Sequence, residues 1–236
     1  MSVKTEKVKT HLLLMMAGSG TRFGGEIPKQ FVFINIEPIF IYLLRQLEHI
    51  EEIDDILLIT NPNYINETEK WVEEYKINKI FKVISGGNGR SKDILKGLEE
   101  YKDINPNDNI LIFDATHPIV DKEGCIKVIN SLDDYEAVTL AEFQYDTTYK
   151  MDKDTHIITE VINREEVIAG ASPEAFKFKT IYEIFKNASD EELAKMTSAG
   201  AIALKHNLKM LAVQTNCVNL KITYKADYEN FLRIAK

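Results

Sequence analysis

Short, continuous apolar runs at residues 12–17, 56–60, 80–84, 110–113, 137–140 and 210–213 constrain this chain more than any other feature. Runs of this length without alternation suit strands covered on both faces, and such strands belong to mostly parallel sheets. The segments between the first four have helical spacing or length: Ile39, Phe40, Leu43, Leu44 and Leu47 form one stripe, residues 67–75 a second segment, and Ile94, Leu95 and Leu98 a third. Strands and helices in alternation predict an α/β fold of three layers around a mostly parallel, twisted sheet. After Leu140 the pattern changes, because residues 149–151, a polar turn at 152–154 and residues 156–162 read as a hairpin. We expect a single domain over residues 1–236, with residues 141–165 as a protruding β-hairpin arm. Ser189 to Glu192 has the S-x-x-E form that starts a helix, and Asp227 is placed to open a C-terminal one.

The net charge of −8 argues against a general surface for nucleic acid or anionic membrane, so a polyanionic ligand needs a local cluster of cations. Cys125 and Cys217 belong to no C-x-x-C pair, which suggests neither a disulfide framework nor a zinc site and suits a reducing cytoplasm. The lysine-bearing start before Leu12 imitates a secretory leader, but the apolar run 12–17 is shorter than the about 7–15 residues such a leader needs. No run approaches the roughly 18 apolar residues of a spanning helix, so we expect a soluble, cytoplasmic protein.

The first apolar run passes straight into a glycine-rich loop carrying Arg22 and Lys29. Glycines let main-chain N–H groups close around an anion, and fixed cations neutralise charge on a transferring phosphoryl group. Two familiar phosphate loops are excluded by spacing. A Walker loop needs Lys-Ser or Lys-Thr after the second glycine of G-x-x-x-x-G, whereas Gly20 to Gly25 is followed by Glu26 and Ile27. A dinucleotide fingerprint needs glycine at position 23, which is Phe23, and this also weighs against a dinucleotide-dependent oxidoreductase. The plain alternative is that Gly18, Gly20, Gly24 and Gly25 merely make a turn.

Read further, A-G-x-G-x-R-x-G from Ala17 and the following Pro28-Lys29-Gln30 resemble the nucleotidyltransferase signature, and Phe31 narrows the match to a cytidylyltransferase group. That group includes the 2-C-methyl-D-erythritol 4-phosphate and ribitol-5-phosphate enzymes. Gly86-Gly87-Asn88-Gly89-Arg90 is similar to its second nucleotide loop, and Asp114-Ala115-Thr116-His117-Pro118 to its D-A-x-R-P segment. Asp146-Thr147, Arg164, Ser172-Pro173-Glu174, Thr197 and Asn219-Leu220-Lys221-Ile222-Thr223 match in order, so the likeness spans roughly residues 11–233.

The resemblance implies a Rossmann-like nucleotidyltransferase fold and transfer from CTP to a polyol phosphate, with Mg²⁺ and without a covalent enzyme intermediate. Arg22, Lys29 and Lys221 would hold the triphosphate and stabilise the reacting α-phosphate. Ala17, Gly18, Ser19, Gly20, Gly87, Asn88, Arg90 and Asp93 would line the CTP site. Asp114, directly after an apolar run, would hold the metal at the carboxyl end of a strand, where open α/β sheets bind ligands; the bland reading is an aspartate capping a turn. His117, Thr147, Arg164, Ser172 and Thr197 would serve the acceptor, with Thr147 and Arg164 supplied across a homodimer by exchanged arms. An exposed ion-paired loop is the alternative for Arg164.

Two departures bear on this. The group usually has arginine where this chain has His117, so a phosphate or hydroxyl contact is altered or lost, or the imidazole simply packs under the loop. Asp93 stands where serine or threonine is common, and either contacts the nucleotide or acts as a cap. His11, His49, His156 and His206 share no metal-ligand spacing and read as structural. The acidic lead-in of residues 187–204 resembles the ribitol branch more than the methylerythritol one, which more often has T-D-E-A-S from position 197. The expected acceptor is therefore an alditol phosphate, ribitol 5-phosphate or a glycerol phosphate, for teichoic-acid or capsule polymers. Methylerythritol phosphate in isoprenoid synthesis is one alternative, and a non-catalytic nucleotide-binding protein another.

Overall fold

The computed structural model describes residues 7–25 and 27–235, and most of the leader-like start lies outside them. Strand β1 (Thr10–Met16) is buried throughout because its side chains serve two cores, Leu12, Leu14 and Met16 on one face, Leu13 and Met15 on the other. The glycine loop follows, with short 3₁₀ turns at Thr21–Phe23 and Lys29–Phe31, then β2 (Phe33–Ile34) and β3 (Glu37–Pro38) pair as a minimal hairpin. Helix α1 (Ile39–Glu48) buries the predicted stripe. Next come β4 (Asp55–Thr60), α2 (Ile65–Glu74), β5 (Ile80–Ser85), α3 (Arg90–Glu100), β6 (Asn109–Asp114), α4 (Lys122–Ser131) and β7 (Ala137–Phe143).

The predicted hairpin is β8 (Thr148–Met151) with β9 (Ile158–Ile162), paired only with each other among the described residues. The chain continues through β10 (Ile168–Lys177), α5 (Phe178–Asn187), α6 (Asp190–Lys195), α7 (Ala199–Lys205), β11 (Met210–Gln214) and α8 (Lys225–Ile234). Ser189 caps α6 by accepting from Glu192 N at 3.2 Å, whereas Asp227 sits inside the first turn of α8, accepting from Thr223 N and Tyr224 N at 2.8 Å each.

Seven strands form one sheet in the order β11-β7-β10-β6-β1-β4-β5. All neighbours are parallel except around β10, which runs antiparallel to both β6 and β7. The six predicted runs all lie in this sheet. The seventh strand was not among them, because Gly170 and Pro173 argue against a central strand; a register shift between Gly170 and Glu174 accommodates them. Helices α1, α2 and α4 cover one face, and α3, α5, α6 and α7 the other. A third cluster, Phe23, Ile34, Ile39, Ile222 and Phe231, presses the C-terminal segment against the opening loop.

At the amino ends of the central strands, buried His11 bridges Asp55 (Nδ1 to Oδ2, 2.8 Å) and Asp108 (Nε2 to Oδ2, 3.4 Å), while Tyr101 OH donates to Asp55 at 2.5 Å. Burial opposes the imidazolium, but the bonds and charges of Asp55 and then Asp108 outweigh it and raise the His11 pKa. No helix among the described residues is long and apolar enough to cross a membrane.

Candidate active site

Strands β1, β4, β5 and β6 all point their carboxyl ends at one cleft of about 650 Å³. The first loop contributes Ala17, Gly18, Ser19, Gly20 and Arg22, and the turn after it contributes Lys29. Gln30, buried behind them, donates from Nε2 to Met16 O at 2.7 Å and Gly18 O at 2.8 Å, fastening the start of the loop to the turn that follows it. Gly20 is left-handed (φ +69°), and a Cβ there would approach Lys29 N to 3.2 Å, so both the turn and the close passage need glycine.

The second loop adds Gly87, Arg90 and Asp93. Asp93 lines the cleft with its carboxylate turned to the loop: Oδ2 accepts from Gly87 N at 3.0 Å and Oδ1 from Asn88 N at 3.2 Å. Its carboxylate thus shapes the loop whose residues Gly87 and Asn88 were expected at the nucleotide. Asn88 itself does not line the cleft, and the two loops meet at Gly86, where a Cβ would fall 2.6 Å from Ala17 Cβ.

Asp114 ends β6 with its carboxylate between two cations, Lys221 Nζ at 3.2 Å and the guanidinium of Arg90 in close contact. Burial disfavours its charge, but Arg90 and Lys221 more than compensate and hold the carboxyl below the usual range. Lys221 arrives on the segment after β11, which is fixed by Ile222 N donating to Thr116 O at 2.8 Å and by Lys29 Nζ donating to Ile222 O at 2.5 Å. Burial, then Lys221 and Arg22, lower the Lys29 pKa, because the three cations lie close together. The arrangement is a receptor for a polyanion.

The acceptor candidates are more dispersed. Ser172 Oγ accepts from Asp114 N at 3.3 Å and so joins the site. His117 is 7% exposed and adjoins Ser172 and Asn219 in a small void apart from the main cleft. Burial dominates there and pushes its pKa down to about 4, with Asp114 opposing and Lys221 adding to the fall, so the imidazole is neutral at pH 7. Thr197 is an exposed residue in the bend between α6 and α7. Thr147 and Arg164 are exposed on the arm, with Arg164 Nη1 donating to Tyr145 O at 2.5 Å; neither reaches the cleft of its own chain.

Glu174 is the site residue for which the sequence suggested no role. Burial raises its carboxyl pKa, outweighing Gly200 N–H and Arg90, and its Oε2 lies 3.8 Å from Arg90 Nη2. Only the match of Ser172-Pro173-Glu174 flagged it. Among the described residues no group of three or more His, Cys, Asp or Glu gathers to hold a metal. Asp114 alone fits a magnesium ion that takes one protein carboxylate and completes its shell with phosphate oxygens and water.

A sequence model of the family 2-C-methyl-D-erythritol 4-phosphate cytidylyltransferase matches residues 10–233. A protein of that name from Clostridium tetani is 30% identical over 220 residues, covering 93% of this chain and 87% of its own. Another, from Caldicellulosiruptor saccharolyticus, is 32% identical over 225 residues, covering 93% and 94%. Among solved structures, the 4-diphosphocytidyl-2C-methyl-D-erythritol synthase of Anaerococcus prevotii superposes with a TM-score of 0.79 at 23% identity, covering 97% of this chain and 98% of that one.

These matches overturn the expectation of an alditol-phosphate enzyme for cell-surface polymers. The acids that suggested it have local duties instead: Asp190 pairs with Lys92 at 2.8 Å, and Glu192 with Lys205 at 2.9 Å and His206 at 3.1 Å. They tie α6 to α3 and to the end of α7.

Proposed function

The chain belongs to the 2-C-methyl-D-erythritol 4-phosphate cytidylyltransferase family, and from that premise we propose that it transfers a cytidylyl group from CTP to 2-C-methyl-D-erythritol 4-phosphate in isoprenoid synthesis. The supporting observation is the meeting of Arg22, Lys29 and Asp114 on one cleft at the carboxyl ends of the central strands, with Lys221 paired to Asp114 beside it.

A phosphate oxygen of the acceptor attacks the α-phosphorus of CTP, and pyrophosphate leaves. Attacker and target are both anionic, so the protein contributes alignment and charge neutralisation. Arg22 and Lys29 form one wall along the triphosphate, and Lys221, paired with Asp114, would add its charge from the segment after β11. The bond from Lys29 to Ile222 O ties that segment to the opening loop. Mg²⁺, held by Asp114, would neutralise phosphate charge. Arg90, now on Asp114, lies within reach of the same anions. Ser172, behind Asp114, and the neutral His117 border the acceptor side.

The arm presents Tyr149, Met151, Ile158 and Val161 to solvent next to Thr147 and Arg164. A homodimer with exchanged arms would cover that apolar surface and bring both polar residues to the partner's cleft. Purified protein with Mg²⁺, CTP and methylerythritol phosphate should release pyrophosphate and form the cytidine-diphosphate product, while ribitol and glycerol phosphates serve as controls. No release with methylerythritol phosphate would refute the proposal and favour a role in nucleotide binding alone.

A further inference from the structure

Glu174 lies on β10 where the pairing with β7 resumes after its register shift, opposite Ile112 of β6. Its side chain is 14% exposed and makes three contacts through one planar carboxylate. Oε1 accepts from Gly200 N at 2.9 Å, Oε2 accepts from Ala199 N at 3.2 Å, and Oε2 faces Arg90 Nη2 at 3.8 Å. There is no room to spare, since a Cβ on Gly200 would come within 2.7 Å of Oε1. On the far side Arg90 pairs with Asp114, and its Nε is buried without a partner. The guanidinium is therefore oriented by two carboxylates, one at each end.

Capping two main-chain N–H groups requires only an acceptor, and a neutral amide or hydroxyl is less costly to bury than a carboxylate. Among the described residues, the one cation within ion-pairing distance of the Glu174 carboxylate is Arg90. The same carboxylate fixes the start of α7, two residues after Thr197, and Ser91 of α3 secures Met196 O nearby at 3.2 Å. We propose that Glu174 is a positioning residue for cytidylyl transfer: it holds Arg90 in line with Asp114 and, with the same two oxygens, sets residues 197–200, so that the nucleotide and acceptor sides keep one spacing. This rests on the function proposed above.

The test is CTP affinity in the presence of Mg²⁺, measured by calorimetry on the full chain. Glu174→Gln keeps the side-chain shape and one acceptor oxygen but removes the charge, and should weaken CTP binding about tenfold with little change in melting temperature. In an Arg90→Ala background the same substitution should have no further effect, since the residue through which it acts is gone. Unchanged affinity in Glu174→Gln, or an equal loss in both backgrounds, would overturn the proposal. If the glutamine variant does not fold, Gly200→Ala decides, because its Cβ displaces Oε1 while the charge stays. A loss of CTP affinity confined to the background with Arg90 supports the proposal, and unaltered affinity refutes it. Wild-type protein that binds CTP yet releases no pyrophosphate with methylerythritol phosphate fails the functional reading alone; failure to bind CTP overturns both.

Discussion

Lys29 of the opening loop donates to the carbonyl oxygen of Ile222 at 2.5 Å, although 193 positions separate them. The cluster of Phe23, Ile34, Ile39, Ile222 and Phe231 lies behind that bond, so the opening loop and the segment carrying Lys221 share one apolar support. The spacing between Lys29 and Lys221 is thus a property of the packed fold as well as of flexible side chains.

Replacing Lys29 with alanine should lower turnover by about 10²–10³, the usual loss when a donor aimed at developing charge is removed. The melting temperature should fall by only a few degrees, because the lost hydrogen bond is worth on the order of 1 kcal/mol. Pyrophosphate release and a thermal melt on one preparation check both, and near-normal turnover contradicts the role assigned to Lys29.

Chelating divalent metal should abolish pyrophosphate release by the wild-type protein, and added Mg²⁺ should restore it. Asp114→Asn should remain folded but respond to Mg²⁺ only weakly at any concentration, because its neutral amide is a poor partner for a hard cation. A full magnesium response in this variant would remove Asp114 from the metal site.

Arg164→Ala and Lys29→Ala proteins, each nearly inactive alone, should complement when mixed and allowed to exchange subunits. Half of the dimers would then be mixed, each with one intact cleft served by an intact arm, giving roughly a quarter of wild-type activity. Confirmed heterodimers with no recovered activity would show that Arg164 acts, if at all, within its own chain.

The His11 pKa is raised by Asp55 and Asp108, so its contribution to stability should be full below about pH 6.5, the value in an unfolded chain. It should disappear as the pH rises through the higher folded value. Thermal melts across that window should show stability falling with pH in the wild type and a flatter profile in His11→Gln. Equal slopes in both would mean that His11 is uncharged in the fold.

The runs of β1, β4, β6 and β7 were legible because a strand covered on both faces must be apolar at consecutive positions, and the helix stripes because their period differs; β5 and β11 are partly exposed edge strands, legible from their apolar content alone. β10 was not, since Pro173 and Gly170 disguise a strand whose place depends on β6 and β7 accepting it. The opening glycine loop with Arg22 and Lys29 stood out by composition, while the second loop and the Pro28-Lys29-Gln30 signature were legible only through the family resemblance. By contrast, nothing local to Asp93 distinguishes a loop-shaping carboxylate from one that reads a base, and the tie between Glu174 and Gly200 spans 26 positions. Thr147 and Arg164 show the remaining limit: one chain folded alone keeps them away from its own cleft.

Because β10 separates β6 from β7, the two halves of the sheet share no direct pairing. A ribosome delivers β1, β4, β5 and β6 by residue 114 and β7 by residue 143, but the strand that joins them only by residue 177. During that interval β6 offers a bare edge carrying Ile110, Leu111, Ile112 and Phe113, which is an invitation to pair with a neighbouring nascent chain. A premature stop before residue 168 would therefore leave that edge open permanently, a lesion at the centre of the molecule from a truncation at its end.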